Sequence, residues 1–384
     1  MAKVSIYHFH NGSGGGVLSI IRNLLLFRQD DEIENHVIYT INKEQTPIFF
    51  IPSLEGAASE QVFYYSPKWN FYYTCKKLAE LLPNDKAIIV AHDWLELGMV
   101  SHLGLKNPVN LFVHGDYNYY YQLAAKHCVS IASFICVCKS ISKKLTEILP
   151  SKLEKITYTR FPVQSISNAS VRSNEILQMI FVGRCEDAKG YNLLPEIEKR
   201  LRNIKVKVSW HIIGEGSEDV SNQSLWPEDT IICFNGKLTH EEVFRLLRKS
   251  DLFLLPSFAE GMPVSVIESM KAGVVPIVND LPGGIQELVI NGKTGYKIEN
   301  NLLDGFVSVI KQLSEDKSLL KAIAEEASML ANRLFDPLIN TRKIEVILLK
   351  SIQIKKNKGQ FKVYGSRLDQ KYIPNFIVKL LRSL

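Results

Sequence analysis

The sequence lacks the features that mark several protein classes. Its 384 residues include six cysteines but no Cys-x-x-Cys pair, and no His or Cys pair stands at metal-ligand spacing, so no metal site is predicted. No apolar run reaches the ~18 residues of a spanning helix, and residues 1–8 do not resemble a signal peptide. We therefore expect buried free thiols in a reducing compartment, with the protein cytoplasmic or peripheral on the cytoplasmic face of a membrane.

A strong charge of either sign is also missing. The net charge is only +6, which argues against a nucleic-acid partner. Much of the excess lies near the C-terminus, at Lys355, Lys356, Lys358, Lys362, Arg367, Lys371, Lys379 and Arg382. This basic tail indicates either an anionic surface as partner or a solubilising end. Its segment 373–382 has the pattern of a short amphipathic helix beginning at a proline, which docks either on a membrane or on the protein's own surface.

Short apolar runs alternate with helical patterns along most of the chain. Runs such as 4–7, 87–90 and 109–113 are continuously apolar, as strands of a parallel sheet buried on both faces are. A polar stretch at 164–174 interrupts the alternation, which then restarts at 177–182. The pattern predicts an α/β protein with two Rossmann-like, doubly wound parallel-sheet domains facing each other across a cleft.

The domain boundaries follow from the same pattern. The predicted parts are a first Rossmann-like domain at 1–162, a linker at 163–175, a second Rossmann-like domain at 176–340, a helical segment at 341–359 and a basic amphipathic tail at 360–384. The length of the chain suits two domains of roughly 150 to 200 residues.

The segment 252–273 reads as strand, tight turn and helix, with two carboxylates placed around the helix start. Pro263 suits a first helical position, so the free N–H groups of the first turn would favour an oxyanion. Glu260 precedes the helix and Glu268 lies in its second turn. Each carboxylate can accept hydrogen bonds from a diol of a ribose or a hexose. Alternatively, Glu260 caps the helix and Glu268 is a solvated helix residue.

This segment resembles the signature of retaining glycosyltransferases of family 4, in which two glutamates are separated by seven residues after a Pro-Ser pair. Further family-like motifs follow in family order at 181–184, 189–190, 212–216, 235–238, 283–287 and 291–296. The resemblance covers about 176–300 and implies the two-domain GT-B fold, in which the domain at 1–162 binds the acceptor, the domain at 176–340 binds the sugar nucleotide and the helical segment at 341–359 packs back towards the first domain. One departure is Arg160-Phe161-Pro162-Val163, where an Asn-Gly-Val-Asp-like turn is usual, so we expect the linker hinge to differ from that of the family.

The resemblance also implies roles for individual residues. Glu268 would bind the nucleotide ribose, and Glu260 with the backbone of Gly261, Met262 and Pro263 would hold the donor sugar. The remaining donor contacts that it implies are Leu238 against the base and Arg184, Lys189, Gly15 and Gly16 at the diphosphate. Cationic groups there also suit a leaving group that gains negative charge. The glycine loop 12–16 is not a Gly-x-Gly-x-x-Gly fingerprint and alone reads equally as a flexible loop.

On the acceptor side, two loops enter from strand ends at 91–94 and 113–116. Family members often place a histidine and an acid there, which makes His114 the best candidate, ahead of His92 and Asp93, although a single histidine is often structural. The implied catalytic set is Glu260, His114, Arg184 and Lys189.

The resemblance implies a metal-independent hexosyltransferase that needs no cofactor. It would use a nucleoside-diphosphate sugar such as a UDP-sugar and a glycan or lipid-linked acceptor in surface polysaccharide or lipopolysaccharide assembly. The alternatives are a nucleotide-sugar epimerase of similar fold and a non-catalytic nucleotide-sugar-binding protein. A nicotinamide dehydrogenase is disfavoured because neither glycine loop carries its fingerprint.

Overall fold

The computed structural model describes residues 3–44, 53–83, 86–166, 176–299, 302–354 and 364–383. The strands are β1 (Val4–His10), β2 (Ile33–Asn42), β3 (Ser59–Tyr65), β4 (Ile88–Ala91), β5 (Val109–Val113), β6 (Ser133–Cys136), β7 (Ile156–Tyr158), β8 (Leu177–Val182), β9 (Val208–Ile213), β10 (Ile231–Phe234), β11 (Leu252–Leu255), β12 (Val275–Asn279) and β13 (Tyr296–Ile298). The helices are α1 (Gly16–Leu26), α2 (Phe71–Ala79), α3 (Trp94–Leu103), α4 (Asn118–His127), α5 (Lys139–Ile148), α6 (Leu193–Asn203), α7 (Val220–Gln223), α8 (His240–Leu247), α9 (Val264–Lys271), α10 (Gly284–Leu288), α11 (Leu303–Glu315), α12 (Lys317–Leu334), α13 (Pro337–Lys350) and α14 (Asn375–Leu381).

The chain folds into two compact units. Unit 1 comprises Met1–Pro162 and Pro337–Leu384, and unit 2 comprises Val163–Asp336. The predicted linker therefore starts at the first residue of unit 2, and its residues 167–175 lie outside the described ranges. The predicted end of the second domain at 340 falls inside α13, because Pro337 already opens a new helix. Unit 2 is thus an insertion between the two segments of unit 1.

Unit 1 is built on a parallel sheet of order β3-β2-β1-β4-β5-β6-β7. The strands β4, β5 and β6 are buried along their whole length, as parallel strands are when helices cover both faces. The chain first builds outward from β1 to β3 and then resumes on the other side of β1 with β4. The carboxyl ends of β1 and β4 therefore flank the point where the strand order reverses.

The late segment of the chain completes unit 1. Helix α13 packs against α1, and Glu345 accepts a hydrogen bond from the Gln29 backbone N–H at 2.8 Å. The Asn110 side chain on β5 donates to the Ser351 hydroxyl at 3.0 Å. Buried polar groups that pair across more than two hundred residues tie both segments into one core.

Unit 2 repeats the architecture with a parallel sheet of order β10-β9-β8-β11-β12-β13. Renumbered within the unit, this is the strand order of the doubly wound nucleotide-binding fold, with its reversal between β8 and β11. The strands β11 and β12 are fully buried. The prediction of two Rossmann-like parallel-sheet domains is confirmed. No helix in the described part of the chain is both long and apolar enough to cross a membrane.

Candidate functional site

The strand reversal in unit 2 lies between two loops that carry predicted site residues. Residues 183–190 follow β8 and contain Arg184 and Lys189, while residues 256–263 follow β11 and contain Glu260. Ligands of open parallel sheets bind beyond the carboxyl ends of the strands where the order reverses. The fold therefore brings these loops together where a ligand of unit 2 is expected.

The two loops are locked to each other by backbone contacts. Phe258 N–H donates to the Ala188 carbonyl at 3.1 Å. Gly190 has a φ of +68°, and a Cβ at that position would run into the Pro256 carbonyl oxygen, so only glycine fits the close approach. The consequence is a fixed spacing between the side chains that follow each strand.

This spacing places Lys189 against Glu260. Lys189 Nζ lies 2.7 Å from Glu260 Oε1, and the Glu260 side chain is only 8% exposed. A carboxylate that is largely shielded from water needs such a partner. Arg184, on the same loop, instead pairs with Glu186 at 3.0 Å and is 61% exposed. The structure thus brings Lys189 and Glu260 together, whereas Arg184 extends into solvent.

The backbone of the loop 256–263 is hydrogen-bonded to the next strand and helix, β12 and α10. Asn279, at the end of β12, donates to the carbonyls of Pro256 and Ser257 at 2.9 Å each. Gly284 N–H, at the start of α10, donates to the Gly261 carbonyl at 2.6 Å, and a Cβ on Gly284 would collide with Met262. These contacts anchor the backbone of the loop that carries Glu260 to β12 and α10.

Pro263 differs from its predicted position by one residue. It is the residue before α9, with ψ 112° outside the helical range, and Val264 is the first helical residue. The free N–H groups at this helix start consequently belong to residues from Val264 onward. The predicted placement of Glu260 before the helix and of Glu268 in its second turn is confirmed.

Glu268 has a histidine partner that sequence reasoning missed. His240 Nε2 lies 2.7 Å from Glu268 Oε1, and the Glu268 side chain is 6% exposed. His240 is the first residue of α8, whose start is fixed by a capping box between Thr239 and Glu242. The Thr-x-x-Glu pattern was readable as a helix start, but nothing in it indicated a partner on α9.

Leu238 lies in the loop between β10 and α8, two residues before His240, and is half-buried. The loop is anchored by Gly236, which has a φ of +64°. The Gly236 N–H donates to the Ser217 hydroxyl at 2.9 Å, and its carbonyl accepts from Gly214 N–H at 2.8 Å. Leu238 and Glu268 therefore sit on elements that His240 links.

In unit 1 the predicted glycines stand at the start of α1. Gly15 precedes the helix with a φ of +114°, a conformation that favours glycine, and Gly16 is the first helical residue. A Cβ on Gly15 would meet no atom within 4 Å. The loop follows β1, beside the strand reversal of unit 1. Its backbone at Gly15 is therefore uncovered by side chains at the point where a ligand of that sheet is expected to bind.

His114 lies in a cluster of histidines, most of them buried, at the carboxyl ends of the central strands of unit 1. His114 Nε2 lies 2.7 Å from His92 Nδ1, and the His8 and His92 rings stack with centroids 6.3 Å apart. Burial lowers the pKa of His114 to about 3 and that of His10 to about 4, and places that of His92 well below its usual value. These imidazoles are neutral at pH 7 and can both donate and accept hydrogen bonds.

The carboxylates beside this cluster have structural partners. Asp93 caps α3 by accepting from the Trp94 N–H at 2.8 Å and also accepts from the Tyr119 hydroxyl. Glu96 accepts from the backbone N–H groups of His92 and Asp93 at 2.7 Å each, while burial raises its pKa to about 8. The described residues include no group of three or more His, Cys, Asp or Glu side chains arranged to hold a metal ion.

The segment that carries this site matches a known protein family. Residues 164–329 match the family model of group 1 glycosyl transferases. The match contains Arg184, Lys189, Glu260 and Glu268 and falls entirely within unit 2. The sequence around the strand reversal of unit 2 therefore resembles that of group 1 glycosyl transferases.

Two relatives resemble the chain over part of its length. A putative colanic acid biosynthesis glycosyltransferase, WcaL of Salmonella typhimurium, is 29% identical over 45% of this chain and 46% of its own. An N,N'-diacetylbacillosaminyl-diphospho-undecaprenol alpha-1,3-N-acetylgalactosaminyltransferase of Campylobacter jejuni is 26% identical over 55% of this chain and 54% of its own. The chain thus spans about half the length of these relatives.

A solved structure matches nearly the whole chain. HepE of Anabaena, in complex with UDP-glucose, superposes with a TM-score of 0.72 over 90% of this chain and 99% of its own, at 16% identity. At this identity the likeness concerns the fold, and it agrees with two Rossmann-like units of the GT-B class.

Proposed function

We propose that this chain is a retaining glycosyltransferase that moves a hexosyl group from a nucleoside-diphosphate sugar to a hydroxyl of a glycan or lipid-linked acceptor, in surface polysaccharide or lipopolysaccharide assembly. The observation that carries the proposal is the pair of shielded carboxylates, Glu260 and Glu268, at the strand reversal of unit 2. Both lie within the segment that matches group 1 glycosyl transferases.

In this proposal the two carboxylates hold two different parts of the donor. Glu268, oriented by His240, accepts hydrogen bonds from the ribose diol, with Leu238 against the base. Glu260 and the backbone at Gly261, Met262 and Pro263 hold the donor sugar. Both carboxylates are shielded from water, which strengthens hydrogen bonds to a sugar hydroxyl.

The basic groups then serve the diphosphate. Lys189, near the end of the β8 loop, pairs with Glu260 and is 26% exposed, and Arg184 is exposed enough to turn towards a bound anion. The N–H groups at the start of α9 and at Gly15 and Gly16 add fixed positive dipoles. We propose that these groups neutralise the leaving diphosphate without a metal ion.

The proposed reaction breaks the bond between the anomeric carbon and the phosphate oxygen. A bond from the acceptor oxygen to the same face of that carbon replaces it, and the acceptor proton passes to an oxygen of the departing diphosphate. Stabilisation of that anion lowers the barrier directly, because its charge develops in the transition state. His114, neutral at pH 7, would hydrogen-bond a sugar hydroxyl rather than carry charge.

The proposed acceptor class rests on the relatives. The Campylobacter jejuni relative is named for a sugar carried on diphospho-undecaprenol, and the Salmonella relative for colanic acid biosynthesis. We extend this to a lipid-linked or glycan acceptor for the present chain.

Donor binding is tested first, by thermal unfolding of the full chain with UDP-, GDP- and ADP-sugars. A ligand at a hundred times its dissociation constant stabilises the folded state by about 2.7 kcal/mol, which shifts the midpoint measurably. The Glu268→Gln variant should lose most of this stabilisation. Stabilisation by none of the nucleotide sugars would overturn the proposal.

A matched control separates donor binding from folding. Glu198 is also a shielded carboxylate of unit 2, where it accepts from Trp210 Nε1 at 2.8 Å. The Glu198→Gln variant should alter stability in a similar way yet keep nucleotide affinity. Equal loss of affinity in both variants would remove the special role of Glu268.

Turnover tests the reaction itself. Because Arg184 is exposed, Arg184→Ala should leave stability unchanged and mainly lower the rate of transfer. An epimerase would release a free epimer from donor alone, which NMR of the products detects. A non-catalytic binding protein would be stabilised by the donor and turn over none of it with any acceptor.

A further inference from the structure

Helix α14 in unit 1 presents its apolar side outward. It buries Val378 completely, while Phe376 is 72% exposed and Leu380 is 64% exposed. We call the exposed set the C-terminal apolar face, and it consists of Tyr372, Phe376, Ile377, Leu380 and Leu381. A helix on the surface of a water-exposed protein normally turns its polar side outward. The reversed pattern indicates that something covers this face.

The segment that carries this face is firmly attached to unit 1. Asp369, almost fully buried, pairs with Arg382 at 2.6 Å and accepts from the Phe71 N–H at 2.6 Å. The Asn70 side chain donates to the carbonyls of Gln370 and Ile373 at 2.9 and 2.8 Å. The apolar side chains are therefore held outward by a built structure and do not belong to a loose end.

The segment that carries the face is basic on its exposed surface. Residues 364–383 carry four basic side chains, Arg367, Lys371, Lys379 and Arg382, and a single carboxylate, Asp369, which is buried and paired. The Lys379 ammonium also lies 4.9 Å from the ring of Trp69, and Lys43 lies 5.5 Å from the same ring. Apolar side chains bordered by ammonium groups and an aromatic ring complement a surface that is apolar inside and anionic outside.

We propose that the C-terminal apolar face docks unit 1 on the interface of a bilayer that contains anionic phospholipids. Phe376, Ile377, Leu380 and Leu381 enter the boundary between headgroups and acyl chains. Lys371 and Lys379 remain at the level of the lipid phosphates, and Trp69 lies at the rim. This is the arrangement of an interfacial helix that lies in the membrane plane. The inference goes beyond the proposed function and does not depend on it.

The test is co-sedimentation of the full chain with vesicles. The probes are phosphatidylcholine vesicles with and without phosphatidylglycerol, at low and at physiological salt. We expect binding to the anionic vesicles, weakened by salt because exposed charges are screened. The Phe376→Ser/Leu380→Ser double variant should weaken partitioning by roughly tenfold or more, since two large apolar side chains are lost from the interface. Lys371→Glu should weaken binding only to the anionic vesicles.

A matched double variant controls for lost surface hydrophobicity. Val220 and Met329 in unit 2 are 81% and 62% exposed, and Val220→Ser/Met329→Ser should leave vesicle binding unchanged. Failure of the wild-type chain to bind anionic vesicles, or equal binding by Phe376→Ser/Leu380→Ser, would overturn the proposal. So would a wild-type dimer that this variant converts to a monomer, because the face would then belong to a second copy. Loss of the proposed donor site would instead appear as absent nucleotide stabilisation, with vesicle binding intact.

Discussion

His240 Nε2 lies 2.7 Å from Glu268 Oε1, so the carboxylate proposed to bind the ribose is oriented before a nucleotide arrives. Because an ionised carboxylate only accepts hydrogen bonds, the contact requires the proton on Nε2. The His240 ring packs on Phe244, one turn along α8, with centroids 4.0 Å apart, which limits its freedom. The pair therefore links α8 to α9, and we propose that His240 acts as a positioning residue for the proposed nucleotide site.

Replacement of His240 should weaken nucleotide binding even though Glu268 remains. Hydrogen bonds to charged groups are worth about 1.5–3 kcal/mol, so His240→Ala should raise the dissociation constant for a nucleoside diphosphate about tenfold or more. His240→Gln should restore part of the affinity, since its amide can donate to the carboxylate. Isothermal titration calorimetry measures both, with exposed Glu241→Ala on the same helix as control. Unchanged affinity in His240→Ala would contradict the role.

Combining substitutions of Lys189 and Glu260 should affect the stability of the fold and the affinity for the donor in opposite directions. Lys189→Ala leaves the shielded Glu260 carboxylate without its partner, which should cost about 1–3 kcal/mol of unfolding free energy. Adding Glu260→Gln should recover part of that stability because the unpaired charge is gone. Donor affinity should fall in Lys189→Ala and fall further in the double variant. Urea unfolding and calorimetry complete the cycle, and recovery of affinity in the double variant would speak against donor contact by Glu260.

Unit 1 should lose stability in mild acid because of its buried histidines. Burial lowers the pKa of His8 and His10 to about 4 and that of His114 to about 3. Below the ordinary value of 6.5 the unfolded chain takes up protons that these folded imidazoles do not. The free energy of unfolding therefore has its highest value above pH 6.5 and decreases as the pH falls towards 4. The decrease is on the order of 3 kcal/mol for each histidine.

Urea unfolding between pH 7 and pH 4.5 measures this loss. His10→Asn should reduce the pH dependence of the unfolding free energy by about one proton, because asparagine does not titrate in this range. The asparagine side-chain oxygen can still accept from the Gly12 N–H, as His10 Nδ1 does at 3.1 Å. An unchanged slope in the variant would show that His10 is not among the groups responsible.

Lys271 should make unit 2 more stable in alkali. Its ammonium is buried and donates to the carbonyls of Val163 and Phe335 at 2.6 and 2.9 Å, and burial lowers its pKa to about 8 from 10.5. Between those values the unfolded chain still binds a proton that the folded chain has released, so stability rises with pH. Across this pH range, the free energy of unfolding of the wild type should rise by up to about 3 kcal/mol more than that of Lys271→Met. Urea unfolding at pH 7 and pH 10 measures the gain, and parallel curves would contradict it.

Much of the fold could be predicted because central parallel strands are continuously apolar. The runs at β4, β5 and β11 show this pattern, and their helices followed from it. The strands β2 and β3 and the helix α2 were not predicted. β3 is an edge strand with mostly exposed or half-exposed residues, and β2 mixes polar and apolar residues, so neither produces a continuous run.

Individual residues of the site could be predicted from the sequence, but the contacts between them could not. Glu260 and Glu268 stood out because they flank a helix start after a strand. Their partners, Lys189 and His240, lie 71 and 28 positions away in sequence, and only the strand order brings the loops together. Local spacing carries no signal for such contacts. The start of α9 was missed by one residue because proline is common both at and just before a first helical turn.

The insertion of unit 2 into unit 1 sets an order for biosynthesis. Unit 2 is complete once Asp336 has been made, whereas unit 1 still lacks α13 and the segment that pairs with Asn70 and Asn110. Val163 N–H and the Phe335 carbonyl are 3.3 Å apart, so both ends of the insertion close at one point. On the ribosome, the second unit should therefore reach its native state first, and the sheet that emerged earliest should wait for the last residues before its core is sealed.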